Sequence, residues 1–333
     1  FSMPFYMVIY DYKYNINLWL SSFKNLEFNQ DKFYFDEFNL KYKEFKPMNS
    51  VPDQKFLEWF VGFFEGKGSF ILMKRSDISV VVTSKDMKIL NYIKNNFNMG
   101  DVILQSKKDM TYRWVVHKRR DIYLLSLIFN GNLVLPTRYG KFMIFLAKLN
   151  EKLLKNNEPM IILKNYCKLP TLNDYWLSGF TDAEGCFDIS LKDNKNTPRF
   201  LYALVKNMLF NKYVLEHILN LFIDKSNTNS LYNINSEKNI GKVYSNSKDD
   251  NWQLWISGLN NCIFILNYFK EYPLLSDKSN SLDKFIHVMN YYKQNKPLNE
   301  EQKLYIKKMS KPCATSPDPH KGLGESRREL INK

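Results

Sequence analysis

The 333-residue chain has few of the residues that reveal a structure by themselves. Its four cysteines (Cys167, Cys186, Cys262 and Cys313) are scattered without a Cys-x-x-Cys pair, and histidine also occurs only four times. That gives no support to a structural zinc or a disulfide framework. No apolar stretch approaches the roughly 18 uninterrupted residues of a membrane-spanning helix, so no membrane partner is expected. No cleavable targeting peptide is evident either. The first residue is Phe1 and not Met, which reads as a fragment or the released end of a longer translation product. Acidic residues are outnumbered, 34 against 48 basic, leaving a formal charge of +14. Such an excess points to a polyanionic partner, although a merely basic soluble protein is the plainer alternative.

What is abundant is Lys, Asn, Ile, Tyr and Phe. Of the 48 basic residues 40 are lysine and only 8 arginine, and alanine appears just four times, at Ala147, Ala183, Ala203 and Ala314. AT-rich codons produce that bias, which suggests an organellar gene. Part of the lysine excess then records codon supply and not binding. Aromatics at 16% suffice for a core and for contacts with bases or sugars.

Two segments 117 residues apart repeat one pattern: Trp59-Phe-Val-Gly-Phe-Phe-Glu-Gly-Lys-Gly-Ser-Phe70 and Trp176-Leu-Ser-Gly-Phe-Thr-Asp-Ala-Glu-Gly-Cys-Phe187. Each reads as an apolar helix with small residues four apart (Gly62 and Gly66, Gly179 and Ala183), then an acidic position, a glycine and a strand. With small residues on one face, two such helices can approach until their backbones touch. Their C-terminal ends then meet at the bottom of one seam. Paired carboxylates there could hold a divalent metal over a phosphodiester. The second copy offers Glu184, but the first has Lys67 in its place.

On these residues the chain resembles the single-chain, two-motif LAGLIDADG proteins, the homing-endonuclease and intron-maturase family. The resemblance runs through Phe60-Val-Gly-Phe-Phe-Glu-Gly-Lys-Gly68 and Leu177-Ser-Gly-Phe-Thr-Asp-Ala-Glu-Gly185 and covers about residues 53–310. It implies an α+β fold of two duplicated αββαββα halves, each with a saddle-shaped antiparallel sheet, in a monomer with internal pseudo-twofold symmetry. The expected division is an N-terminal extension (1–52), a first half (53–165), a second half (166–311) and a disordered tail (312–333).

Periodicity fills in this frame. Asp53 is a plausible cap for a helix to Gly66, 69–74 and 78–83 alternate as strands, and apolar residues at 87, 89/90, 93 and 97 mark an amphipathic helix. A hairpin over 101–105 and 111–117 and closing helices over 121–129 and 137–154 complete the first half. The second repeats it, with Tyr213 to Phe222 for the amphipathic helix and Trp252 to Ile256 for the last strand. Phe129-Asn-Gly-Asn-Leu-Val-Leu135 aligns with Phe269-Lys-Glu-Tyr-Pro-Leu-Leu275 at a spacing of 140, so the second half carries about 23 more residues. They are expected in polar loops over 197–206 and 224–250. Residues 1–52, periodic only from Asp36 to Phe45, are expected to form an extension that packs poorly or is partly ordered.

The resemblance also assigns roles. Glu184 would bind Mg²⁺ with the Ala183 carbonyl as backbone ligand, and Lys118, after the last strand of the first half, would help polarise the water. Lys118 could equally be a phosphate contact, since His117, Arg119 and Arg120 crowd it. Lys74, Arg75, Lys107, Lys108, Arg113, Lys192, Lys195 and Arg199, together with Arg119 and Arg120, would line the nucleic-acid surface, the alternative being a solvated charged face.

An ammonium about 4 Å from a divalent ion is repelled by roughly 8 kcal/mol at an effective dielectric near 20, enough to empty a weak Mg²⁺ site. Glu65 cannot substitute, because it lies two residues earlier, about 200° around the helix. Lys67 and Glu184 are therefore expected to pair across the seam. Three functions stay open: a maturase that helps a group I intron RNA fold, with a host splicing protein as a further partner; a nickase cutting one strand of double-stranded DNA; and an intact homing endonuclease. Mg²⁺ is required only if nuclease activity remains. The resemblance implies a mitochondrial matrix location and a mitochondrial gene.

Overall fold

A computed structural model describes residues 27–29, 31–72, 78–192, 196–207, 211–228, 240–246 and 251–310. Lys74, Arg75, Lys195, Cys313 and the tail from residue 312 lie outside them. In chain order the described elements are β1 (Glu27–Asn29), α1 (Asp36–Phe45), α2 (Gln54–Lys67), β2 (Gly68–Leu72), β3 (Ile78–Ser84), α3 (Met87–Phe97), β4 (Asp101–Ser106), β5 (Thr111–Val116), α4 (Arg119–Phe129) and α5 (Pro136–Lys155). After β6 (Tyr166–Lys168) the pattern restarts with α6 (Trp176–Glu184), β7 (Gly185–Ser190), β8 (Arg199–Asn207), α7 (Lys212–Thr228), β9 (Gly241–Asn246), β10 (Asn251–Ser257), α8 (Leu259–Glu271) and α9 (Lys278–Gln294), followed by α10 (Glu300–Met309).

The two halves build the same sheet. One orders its antiparallel strands β2-β3-β5-β4 and the other β7-β8-β10-β9. Their registers superpose: Gly68 faces Val82, which faces Trp114, while Gly185 faces Leu204, which faces Leu254. Alternation sends Phe70, Val80, Val82, Trp114 and Val116 inward in the first sheet, where Phe60, Phe64, Phe97 and Phe129 meet them. In the second sheet Phe187, Phe200 and Tyr202 pack on Phe269 and Phe285.

The repeat helices α2 and α6 join the halves through backbone contact. A Cβ on Gly62 would sit 2.8 Å from the Phe180 nitrogen and closer still to the Trp176 carbonyl. Gly179 mirrors this against Phe63 nitrogen, at 2.9 Å, and the Trp59 carbonyl, and Gly66 abuts Ala183. Thus Gly62, Gly66, Gly179 and Ala183 do form the helix interface.

One expectation is made more specific and one is corrected. The segment before α2 packs closely where residues are described: Phe33, Phe35, Phe38 and Tyr42 are buried, and the Tyr42 hydroxyl donates to the Phe97 carbonyl at 3.0 Å. β1 pairs with β6 in a small parallel sheet. Four buried aromatics close together offset the ordering cost that the polar residues between them suggested. Residues 197–206, expected as an added loop, contain most of β8, which lies between β7 and β10. Phe200 to Leu204 are all buried there, an unbroken apolar run that lacks the alternation marking a half-buried strand. Of 224–250, the described parts apart from Ile240 belong to α7 and β9.

Gly179→Ala and Gly62→Ala should each destabilise the chain by at least the upper part of the roughly 1–3 kcal/mol typical of overpacking, because a backbone carbonyl cannot swing aside as a side chain can. Urea denaturation measures this. Ser178→Ala, on the next residue but bonded to Pro273 instead, should cost only about 1 kcal/mol.

Candidate functional site

The helix seam is closed by two reciprocal hydrogen-bond sets. Glu65, fully buried near the end of α2, accepts from the Trp176 indole of the other repeat at 2.7 Å and from the amides of Leu135 and Val134 at 2.7 and 3.0 Å. Asp182 accepts from the Trp59 indole at 2.8 Å, from the Leu275 and Ser276 amides at 2.8 and 3.2 Å, and from the Ser276 hydroxyl. Each repeat's acid thus holds the other's tryptophan and the start of its own half's closing helix. This is structural work, as the facing of Glu65 away from residue 67 implied. Burial pushes the Glu65 carboxyl up to about 7 against the pull of its three donors. Burial also raises Asp182, again opposed by its hydrogen bonds.

Below the seam, Lys67 Nζ lies 3.8 Å from Glu184 Oε2, both partly exposed. The expected pair is present. As an exposed pair it is worth about 1 kcal/mol or less, so its importance lies in where it puts charge. A second ammonium, Lys206, stands 3.4 Å from Glu184 Oε1 and also donates to the Glu65 carbonyl at 3.0 Å. Arg138 donates to the carbonyls of Glu65 and Gly66 at 2.8 and 3.1 Å, and Lys278 to that of Thr181 at 2.9 Å. These cations sit where the partial negative charge of two helix C-termini converges. Burial pulls Lys206 down to about 8, opposed by Glu184 and reinforced by Arg138. Burial likewise brings Lys278 to about 8, reinforced by Lys67 and opposed by Glu184 and Asp182. Burial also lowers Arg138.

This donor set does not fit a divalent ion. The sole acid at the paired positions faces two ammonium groups, and the Gly66 carbonyl, counterpart of the expected Ala183 ligand, already accepts from Arg138. Among the described residues no group of three or more His, Cys, Asp or Glu side chains gathers to hold a metal.

Sequence reasoning missed Arg138, Lys206 and Lys278; spacing alone relates the first to the third, and sheet register is needed for Lys206. Extending the 140-residue spacing by three positions beyond Leu135 and Leu275 takes Arg138 to Lys278, and Lys206 holds in the second sheet the place that Ser84 holds in the first, each two residues past the partner of the strand-opening glycine. Lys118, expected either to polarise the water or to contact a phosphate, stands apart from these cations. It precedes α4 in a cavity of about 790 Å³ with His117, Arg119 and Arg120, because β5 ends away from the seam. Arg119 pairs with Glu158 at 2.5 Å and Arg120 stacks on Phe45. Of the other basic residues, Lys107, Lys108 and Lys192 are exposed, Arg113 bonds Gln105 at 2.7 Å on the strand surface, and Arg199 lies over the Trp255 ring.

A duplicated motif helix, two such sheets and the meeting of the motif ends define a class, and comparison with known proteins agrees. The LAGLIDADG endonuclease family model matches residues 60–148 and 177–289. The chain belongs to that family. Among relatives, "Probable intron-encoded endonuclease 4" of Neurospora crassa is 33% identical over 242 residues, 71% of this chain and 43% of that protein. "Intron-encoded DNA endonuclease aI3" of Saccharomyces cerevisiae is 25% identical, over 75% of this chain and 67% of that protein. The chain therefore spans less than half of the Neurospora relative. "Uncharacterized mitochondrial protein RF1" of the same yeast is 29% identical over 44% of this chain. The meganuclease I-AabMI, solved bound to uncleaved DNA, shares the fold with a TM-score of 0.60 at 19% identity, over 76% of this chain and 97% of that one. I-GzeII, solved with its DNA target, gives 0.56 at 17% identity, over 76% and 96%.

A pH test follows for the seam. Because the folded Glu65 pKa is raised, the stability this group contributes is complete below its ordinary 4.5 and is lost as pH rises through about 7. The Trp176 indole favours the ionised form, so Trp176→Phe should cost about 1–3 kcal/mol at pH 8 and clearly less at pH 5. Denaturant titrations at both pH values measure the difference.

Proposed function

We propose that the chain acts as an intron-encoded maturase: a LAGLIDADG scaffold that binds its group I intron RNA and assists splicing while the RNA makes and breaks the bonds. The Lys67–Glu184 pair carries this reading. RNA is recognised through backbone, shape and unstacked bases, which demands a basic surface and not a metal centre. The formal charge of +14 suits it. The names of the relatives, intron-encoded and in one case mitochondrial, support an intron-borne gene expressed in the mitochondrial matrix. A host splicing protein is a fitting further partner, and the loss of one paired acid would leave such a role intact.

A second reading is a Mg²⁺-dependent nickase or homing endonuclease on double-stranded DNA. Glu184 remains partly exposed, which favours it, as do the relatives named endonucleases. Glu184 with the Ala183 carbonyl would then be the surviving half of the site.

Incubation with Mg²⁺ and a supercoiled plasmid carrying the intron-free exon junction separates the two. The maturase reading expects no nicked or linear product, together with faster splicing of the precursor RNA. Linear DNA from the unaltered chain would defeat it. Lys67→Glu, which removes the ammonium beside Glu184, should restore some metal-dependent nicking.

A further inference from the structure

The motif Val115-Val-His-Lys-Arg-Arg-Asp121 has no part in the seam, yet the fold gathers it into the cavity of about 790 Å³ at the end of the first sheet. Phe45 and Lys46, just before the linker to α2, form one wall, and the end of α3 forms another. Several of its charges are already committed. Lys46 donates to the Asn98 carbonyl at 2.9 Å and pairs with Asp121 at 3.0 Å, Lys94 pairs with Asp101 at 3.3 Å, and Arg119 is held by Glu158. These contacts fix the walls and cancel both acids of the lining.

Uncommitted to carboxylates among the described residues are Lys118 and Arg120, with His117 beside them, all exposed. Arg120 lies over the Phe45 ring, its guanidinium carbon 5.5 Å from the centroid, which holds the charge at the rim without neutralising it. Asn95 adds an amide group to the lining, while the Asn98 side chain is held by the Tyr42 hydroxyl. Two unneutralised cations, an imidazole and an amide around a concavity suit an anion flanked by hydroxyl groups.

We propose that this cavity binds the phosphodiester backbone of an RNA strand, with Lys118 and Arg120 on one or two phosphates and His117 and Asn95 available to ribose hydroxyls. Its geometry stands apart from the seam, while the choice of RNA rests on the maturase reading. A concave pocket accepts a turning or protruding strand, whereas a straight duplex needs an extended face. It also gives a purpose to the packing of α1, since Phe45 and Lys46 complete the wall.

The test is fluorescence anisotropy with a labelled 30-nucleotide structured RNA and a 30-base-pair DNA duplex, each titrated over 50–200 mM KCl. Lys118→Ala/Arg120→Ala should weaken RNA binding at least about fivefold and reduce its salt slope by roughly 1.5 to 2, with duplex binding changed less than about twofold. Lys118→Arg should retain RNA affinity. Equal losses on RNA and DNA would make this a general backbone site and overturn the RNA assignment, and no loss on RNA would remove the site altogether. An unchanged melting temperature in the double variant excludes unfolding as the cause. Should the unaltered chain bind RNA through these residues but fail to speed splicing, the site stands and the maturase reading falls.

Discussion

The architecture depends on the contact of two helix backbones at Gly62 and Gly179. Nothing larger than hydrogen fits between α2 and α6 there, since each glycine faces a carbonyl of the other helix. This closeness brings residues 67 and 184 within 3.8 Å and lets each tryptophan reach the other repeat's acid. The indole–carboxylate bonds then fix the rotation of one helix on the other. They also tie the seam to the closing helices through the amides of Val134 and Leu135 in one half and Leu275 and Ser276 in the other.

Two helix C-termini side by side concentrate partial negative charge, and the protein meets it with its own cations. Arg138, Lys206 and Lys278 bond the last carbonyls, and Lys67 adds an ammonium against Glu184. Were both paired positions acidic, the same place would hold two adjacent carboxylates and favour a divalent ion. With lysine at one of them the charge is balanced internally. The glycine seam is indifferent to that exchange because residues 67 and 184 lie beyond it, so the scaffold can keep its shape while its chemistry changes. That separation of packing from charge underlies the reading of the chain as a binder of polyanions.

Much of this was legible beforehand. The repeat, the small residues facing each other, the Lys67–Glu184 pair and the structural part of Glu65 all follow from spacing on a helix, a local property. The packing of the segment before α2 is not legible in the sequence because its partners are distant: Tyr42 bonds Phe97, and β1 pairs with β6 more than a hundred residues away. β8 carries no alternating mark because Phe200 to Leu204 are buried on both faces between β7 and β10. Arg138 and Lys278 lay just past a matched stretch, where Pro136-Thr-Arg and Ser276-Asp-Lys look unlike.

The sequence by itself determined the duplication, the order of elements in each half and the tight helix pair, because periodicity and small-residue spacing act through neighbouring turns of one chain. Only the tertiary structure decided which cations surround Glu184 and which gather with Lys118 in a separate cavity. Those groups come from different strands and helices, and their meeting depends on sheet register and on where β5 ends. Side-chain type alone carries no such distances, so one basic motif could suggest either place until the packing separated them.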